Sequence, residues 1–300
     1  MPYDRAQAQL GPEHAQLLWQ LTESTLARLA PLAGDAFRRV GSLRLAAADA
    51  ERADLARELE ALRDDGFVAK WVDELPPPLD RLYCGALLHP GDGSLDPARF
   101  VRRLADEASA AGAEILERSR VVPAELEAPT IVLAADGLLA AAVPELEPTV
   151  WPLRGQMLAT EPLADRIYER PHYARNGFDY WQQLPDGRLV VGGKRDADLD
   201  GERTADEETT AVVQERLDEL VAALIGRLPR ITHRWAGIWG ETPDRLPLVG
   251  PIGGRDGFWV AGGYSGHGNV LGLACGELVA RAILGERPAE LALFDPARFG

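Results

Sequence analysis

FWVAGGYSGHGNVLGLACGELVARAIL, residues 258–284, joins an apolar run, a glycine-rich turn and a helical pattern in one segment. The first four residues predict a short buried strand, and apolar residues recur at helical spacing from Asn269 to Leu284. The turn between them contains Gly262, Gly263, Gly266 and Gly268. A strand that leads through such a turn into a helix predicts an α/β fold.

The glycine-rich turn predicts a ligand site at the start of this helix. Glycine tolerates positive φ and lets the backbone lie close to a ligand, because it has no Cβ atom. The first free N–H groups of the helix, and the positive end of its dipole, would point at an electron-rich ligand. A tight structural connection is the alternative, but Tyr264, Ser265 and His267 alternate with the glycines and favour a site.

Several motifs resemble the D-amino-acid oxidase, glycine oxidase and sarcosine oxidase superfamily of flavoproteins. The resemblance rests on the Ser265-Gly266-His267-Gly268 turn after an apolar strand, with Thr242-Pro243-Asp244 and the run LPLVG at 246–250 just upstream. Further matches are Arg154-Gly155-Gln156, YWQQ at 180–183 and GRLVVGG at 187–193. Together the motifs span the chain from about Val40 to Leu284, in the family's order.

The resemblance implies roles for individual residues of this sequence. Contacts to FAD are implied for Val122 at its adenine end, and for Ala135 and Gly137 at a second turn beside the flavin. Along the glycine-rich turn they are implied for Gly263, Tyr264, Ser265, Gly266, His267, Gly268 and Asn269. Substrate contacts are implied for Tyr180, Trp181 and Trp239, whose aromatic faces would suit a protonated amine. No catalytic base and no metal ligand is implied, and a core role stays the alternative for the small apolar residues.

Composition agrees with a globular enzyme. A chain of 300 residues that is 46% hydrophobic can bury a large core and would usually form two domains. Its 47 acidic and 32 basic residues give a net charge of −15, which argues against nucleic acid or an anionic membrane surface as a partner. The sequence has no membrane-length apolar run and no signal-peptide pattern, so we expect a cytoplasmic protein. Two cysteines, Cys84 and Cys275, predict neither a disulfide framework nor a zinc site.

The first half of the chain predicts alternating helices and strands. Apolar periodicity and turn residues predict helices at 12–32, 49–65 and 98–111, and strands at 41–46, 114–117 and 130–135. Asp96-Pro97 is typical of a helix start. The order of the last three elements predicts parallel pairing.

Residues 150–235 predict an antiparallel sheet interrupted by one helix. Pro185-Asp186-Gly187 is the clearest hairpin turn. A long helix is predicted over 205–228, with Thr204 as its N-cap and Glu207 at the capping-box spacing.

One part of the family pattern is missing from this sequence. Such flavoproteins begin with a strand, a G-x-G-x-x-G turn and a helix that hold the pyrophosphate of FAD, and the sequence contains no such turn. The fold class predicted is therefore α/β, with an incomplete two-dinucleotide-binding FAD domain at 93–148 and 236–300. A substrate domain with an antiparallel sheet is predicted at 1–92 and 149–235. We expect an N-terminally truncated chain that holds FAD weakly.

The resemblance implies oxidation of the C–N bond of a small amine or amino acid to an imine, by hydride transfer to flavin. Members that oxidise α-amino acids tend to carry an arginine before Thr-Pro-Asp, where this sequence has Trp239. We therefore predict that an amine without an α-carboxylate is preferred, although Arg175 or Arg195 could supply the charge from another strand. The alternative is a catalytically silent remnant or an interaction module that does not hold FAD. The sequence does not indicate an oligomeric state.

Overall fold

The computed structural model describes residues 1–299, which divide into two compact units. The first unit contains 1–15, 38–94 and 154–237, and the second contains 16–37, 95–153 and 238 to the end of the described chain. The domain division made from the sequence differs most at 16–37, and Gly300 of the predicted FAD domain lies outside the described residues. The assignment of one unit to cofactor and the other to substrate stays a prediction.

The described residues form seven α-helices and thirteen strands, joined by short 3₁₀ turns. The helices are α1 Tyr3–Leu10, α2 Pro12–Ala33, α3 Asp49–Asp64, α4 Pro97–Ala110, α5 Leu139–Ala142, α6 Ala211–Ile225 and α7 Gly268–Ile283. The strands are β1 Phe37–Arg38, β2 Ser42–Leu45, β3 Lys70–Val72, β4 Ala86–His89, β5 Ser94–Leu95, β6 Ile131–Leu133, β7 Trp151–Pro162, β8 His172–Ala174, β9 Asp179–Gln183, β10 Arg188–Gly193, β11 Ile231–Glu241, β12 Leu248–Pro251 and β13 Phe258–Gly262. None of the helices in residues 1–299 is long and apolar enough to span a membrane.

The first unit is built on a mixed sheet in the order β11-β7-β10-β9-β8-β2-β4-β3. Strand β10 pairs antiparallel with β7 and β9, whereas β2 pairs parallel with β8. Alternate residues point to opposite faces of a strand, so Trp181, Leu189 and Val191 share one face. That face packs with the apolar side of α6, including Leu217 and Val221, and forms the main core of this unit.

The second unit contains a three-stranded sheet in the order β12-β13-β6. Strand β13 pairs antiparallel with β12 and parallel with β6. Leu248 and Val260 of this sheet are fully buried with Leu139 and Val143. The apolar run at 258–261 thus forms the central strand of the sheet, and α7 follows it as the sequence predicted.

Local sequence signals account for several of these elements. The predicted strand, turn and helix at 258–284 are confirmed as β13 and α7. The carboxylate of Asp96 accepts a hydrogen bond from the Arg99 N–H at 3.1 Å, so the predicted start of α4 is confirmed. The hairpin turn between β9 and β10 is also confirmed, with Gly187 at φ +89°.

The predicted strand at 114–117 is wrong. This segment has no regular structure, and Ile115 and Leu116 are 49% and 68% exposed. A strand needs a neighbour for its backbone groups, and β6 pairs instead with β13. Parallel pairing therefore exists in this unit, but with different strands from those predicted.

The predicted helix start at Thr204 is also wrong, because α6 begins at Ala211. The hydroxyl of Thr204 accepts from the Asp206 N–H at 3.1 Å, and the carboxylate of Asp206 accepts from the Glu208 N–H at 2.9 Å. Farther along, the side-chain oxygen of Gln156 accepts from the Thr210 N–H at 2.9 Å. These side chains satisfy backbone donors outside a helix, so the acidic segment forms turns.

Candidate functional site

The turn after β13 adopts left-handed conformations at three residues. Gly263, Ser265 and Gly266 have φ of +70°, +48° and +85°. The prediction of positive φ is therefore confirmed for two of the four glycines and wrong for Gly262 and Gly268, which do not have it.

Ser265 is buried and held in its unusual conformation from two sides. Its N–H donates to the Gly240 carbonyl at 2.8 Å, and its hydroxyl accepts from the Thr242 N–H at 3.3 Å. The Thr242 hydroxyl in turn donates to the Leu246 carbonyl at 2.8 Å. Thr242 of the Thr-Pro-Asp motif therefore fixes the shape of the glycine-rich turn.

The N-terminus of α7 is open to a ligand. Gly266, His267, Gly268 and Asn269 are exposed, and no side chain caps the helix. Its first N–H groups are left without helical acceptors, and the helix dipole adds a partial positive charge. Such an end suits the electron-rich atoms of a cofactor such as FAD.

His267 is exposed and contacts the backbone of the turn through its imidazole ring. Its Nδ1 lies 3.0 Å from the Ser265 carbonyl oxygen, which can only accept. Nδ1 therefore holds the proton, and the ring acts through hydrogen bonds within this turn.

Asp136 belongs to the turn that the resemblance places beside the flavin, but the sequence predicted no contact for its side chain. One carboxylate oxygen accepts from the N–H groups of Gly263 at 2.8 Å and Tyr264 at 3.2 Å, and the other accepts from the Gly240 N–H at 3.0 Å. Asp136 itself has φ of +42°. We call Asp136 and these three backbone groups the Asp136 junction. An acidic residue directly before a glycine, just after the apolar run of β6, was the available signal.

Glycines let the three segments of the Asp136 junction pack backbone against backbone. A Cβ atom on Gly137 would lie 2.9 Å from the carbonyl carbon of Trp239, and a Cβ atom on Gly240 would lie 3.0 Å from the backbone carbonyl oxygen of Asp136. Gly137, predicted to contact flavin, is thus also a packing residue. Ala135 beside it is exposed, and so is Val122, which lies outside the junction at 48% exposure.

Trp239 extends the Asp136 junction along β11. Its indole Nε1 donates to the carboxylate of Glu241 at 2.9 Å, and the Arg245 Nε lies 3.4 Å from the other oxygen of Glu241. The side chain of Glu241 is only 13% exposed. An aromatic ring and a mostly buried carboxylate therefore lie next to the candidate cofactor turn.

In the first unit, Tyr180 and Trp181 point to opposite faces of β9. Trp181 is 2% exposed and stacks on His172, with ring centroids 4.9 Å apart. This core position argues against the substrate contact predicted for Trp181. Tyr180 lies on the other face, opposite Tyr173 of the neighbouring strand β8. The ring of Tyr180 covers Gly192, where an added Cβ atom would lie only 2.3 Å from it. Burial raises the pKa of Tyr180 to about 12, so its hydroxyl keeps its proton.

The two arginines considered as substrate ligands have other contacts. Arg175 donates to the carboxylates of Asp179, at 3.1 Å, and Asp196. The guanidinium of Arg195 lies 4.7 Å above the ring of Phe178. Arg175 is therefore neutralised within the first unit.

Comparison with known proteins defines the class of this chain. Residues 4–282 match the model of the FAD dependent oxidoreductase (DAO) family, and the chain belongs to that family. It is 30% identical to the probable oxidoreductase OrdL of Rhizobium meliloti, over 65% of this chain and 48% of the relative. It is 29% identical to the glycine oxidase of Pseudomonas putida, over 57% of this chain and 48% of the relative. The chain thus spans about half the length of these curated relatives.

The fold agrees with this class. The crystal structure of glycine oxidase from Geobacillus kaustophilus superposes with a TM-score of 0.80 at 24% identity, covering 92% of this chain and 82% of that one. At this level of identity the likeness concerns the fold. The predicted α/β class and the recognised family are confirmed.

Proposed function

We propose that this chain provides the flavin-side turn and the substrate surface of an FAD-dependent oxidoreductase that oxidises the C–N bond of an amine. The observation that carries the proposal is the pair formed by Trp239 and Glu241 beside the Asp136 junction. An aromatic face and a carboxylate both attract a protonated amine. The same carboxylate, which pairs with Arg245, would disfavour the carboxylate of an α-amino acid beside it.

The residues of the turn fit the cofactor of the family. Exposed backbone at Gly266, Gly268 and Asn269 can approach an isoalloxazine ring, and the N-terminus of α7 suits its electron-rich edge. Bound FAD would supply the hydride acceptor. The protein would orient the amine and keep the turn rigid through Asp136 and Ser265.

No general base is assigned. The bound ammonium group would first release its proton to solvent, and the C–H bond of the neutral amine can then break by hydride transfer without a basic side chain. Tyr180 and Tyr173 form an aromatic surface of the first unit, which would by itself attract a protonated amine through cation–π interaction.

The deciding experiment is a substrate comparison at saturating added FAD, because this chain is predicted to hold FAD weakly. Bleaching of the flavin absorbance is followed without oxygen for putrescine-type amines, sarcosine, glycine and D-alanine. We expect the largest second-order rate constant of flavin reduction for the amines that lack an α-carboxylate.

A clear preference for glycine or D-alanine would refute the amine assignment. No bleaching with any substrate, despite bound FAD, would favour the catalytically silent alternative. Glu241→Gln is the matched variant. It should reduce the difference in the rate of flavin reduction between amines and amino acids, because the negative charge that repels an α-carboxylate is lost.

A further inference from the structure

Arg38 forms no salt bridge within residues 1–299, and the one carboxylate whose charge favours it, Glu169, also pairs with Arg166. It ends β1 and is half-buried, and its guanidinium donates to the hydroxyl of Ser94 at 3.5 Å. Ser94 is 6% exposed and donates to the side-chain oxygen of Gln182 at 2.7 Å. Most arginines of this acidic protein form a salt bridge with an aspartate or glutamate, so a half-buried guanidinium without one is unusual here.

A second guanidinium increases the local positive charge. The pKa of Arg38 is lowered by burial first and then by the charge of Arg166. Arg166 has one carboxylate nearby, Glu169, at 3.7 Å. Two like charges are brought together at a cost unless an anion binds between or beside them. The two guanidiniums share one carboxylate, Glu169, so they keep an excess of positive charge that favours an anion.

Gln182 connects this charge to the aromatic surface of the first unit. It lies two residues after Tyr180 on β9, so both side chains point to the same face, about 7 Å apart along the strand. The side-chain amide nitrogen of Gln182 has no acceptor among the described residues and remains a free donor. The amide donor of Gln182 therefore lies two residues along β9 from Tyr180, and Arg38 is linked to Gln182 through Ser94.

We propose that Arg38 and Gln182, supported by Ser94, form an anion subsite that binds a carboxylate several atoms away from the reacting nitrogen of the substrate. This rests on the proposed function and narrows it to amines that carry a distal carboxylate. An arginine fork binds both oxygens of a carboxylate, which would fix one end of an extended substrate while its amine lies on the aromatic surface. The subsite differs from an α-carboxylate site, because the two charges of the ligand are held apart.

The test measures dissociation constants by ligand-observed NMR for 5-aminopentanoate, pentylamine and pentanoate. The wild type should bind 5-aminopentanoate about tenfold or more tightly than pentylamine, which is about 1.4 kcal/mol. Arg38→Gln should remove this difference and leave the affinity for pentylamine unchanged. Arg38→Lys should keep part of it, since a point charge remains without the fork.

Arg39→Gln is the matched control, because Arg39 is the next residue and bonds the Gly91 carbonyl instead. It should leave all three affinities unchanged, and an equal loss in both variants would overturn the subsite in favour of general charge. Equal binding of 5-aminopentanoate and pentylamine to the wild type, or no binding of either carboxylate, would also overturn it. Pentanoate binding that depends on Arg38, without any binding of pentylamine, would support the subsite and refute the amine assignment. Thermal melting of each variant verifies that it folds.

Discussion

At the scale of single residues, Asp136 does more than its neighbours to shape the candidate cofactor turn. Its carboxylate joins the end of β11 to the turn after β13 through three backbone N–H groups. Backbone donors satisfied by a charged acceptor are strong hydrogen bonds, and each would be left unpaired if the carboxylate were removed.

Asp136→Asn keeps the size of the side chain but replaces one acceptor oxygen by a donor amide. We expect it to destabilise the fold by about 1–3 kcal/mol, because at least one N–H group of the junction then faces a donor. Urea unfolding measures this loss. Asp35→Asn, which breaks an exposed pair with Arg99 in the same unit, should cost about 1 kcal/mol or less. Equal effects of the two variants would contradict the role given to Asp136.

Gly268→Val separates ligand contact from backbone strain. Gly268 does not have positive φ, and a Cβ atom there would lie 3.5 Å from the ring of Tyr264, an ordinary contact. The fold should therefore survive, while the side chain crowds the cofactor and weakens FAD binding about tenfold or more.

Fluorescence titration of FAD against the variant measures this loss. Gly266→Val is the contrasting variant, since Gly266 at φ +85° would also be strained by about 1–2 kcal/mol. Unchanged FAD affinity in Gly268→Val would make the turn a purely structural connection.

At the scale of elements, one buried ion pair holds the segment before α6. The single Nε–H of Arg154 in β7 is shared between the two carboxylate oxygens of Glu202, at 3.2 Å each, and its Nη2 donates to one of them at 2.8 Å. Gln156 also donates to Glu202, at 2.8 Å. The Arg-Gly-Gln motif noted in the sequence thus fastens this segment to β7.

Glu202→Gln should destabilise the protein by up to about 3–5 kcal/mol, because the buried charge of Arg154 would keep only the exposed Asp206, 3.7 Å away, as a salt-bridge partner. The free energy of unfolding in urea measures the effect. Glu161→Gln is the control, since its pair with Arg230 is exposed and its loss should cost about 1 kcal/mol or less. A loss that is no larger in Glu202→Gln would show that the buried pair contributes little.

The sequence predicted those elements whose own residues determine them. Helix α4 has its cap at Asp96, β13 has a continuous apolar run, and the β9–β10 hairpin has Asp186-Gly187. The failures at 114–117 and 205–210 depend on partners distant in sequence, such as β13 for β6 and Gln156 for Thr210. The Asp136 junction was missed for the same reason, because its three segments meet only in the folded chain.

At the scale of the whole molecule, a buried histidine makes stability depend on pH. His172 is 5% exposed, and burial lowers its pKa to about 4, well below the value of about 6.5 in the unfolded chain. Between these two pKa values the unfolded state binds more protons than the folded state. The contribution of His172 to the free energy of unfolding is therefore fully present above pH 6.5 and decreases as the pH falls towards 4. His172→Phe keeps the aromatic stack on Trp181 and removes this titration.

The melting temperature of His172→Phe should therefore fall less than that of the wild type between pH 7 and pH 4.5. The pKa difference corresponds to about 3 kcal/mol at most. His14→Phe replaces an exposed histidine and should follow the wild type. Identical pH profiles of His172→Phe and the wild type would show that another group dominates in this range.

The division of the chain at residues 15, 37, 94, 153 and 237 also sets the order in which the protein can fold during synthesis. All stretches of the first unit have left the ribosome soon after residue 237, whereas the second unit still lacks β12, β13 and α7. Until β12, β13 and α7 are synthesised, part of the apolar surface of its earlier stretches, 16–37 and 95–153, stays uncovered. We therefore expect the second unit to expose apolar segments to chaperones during synthesis for longer than the first unit.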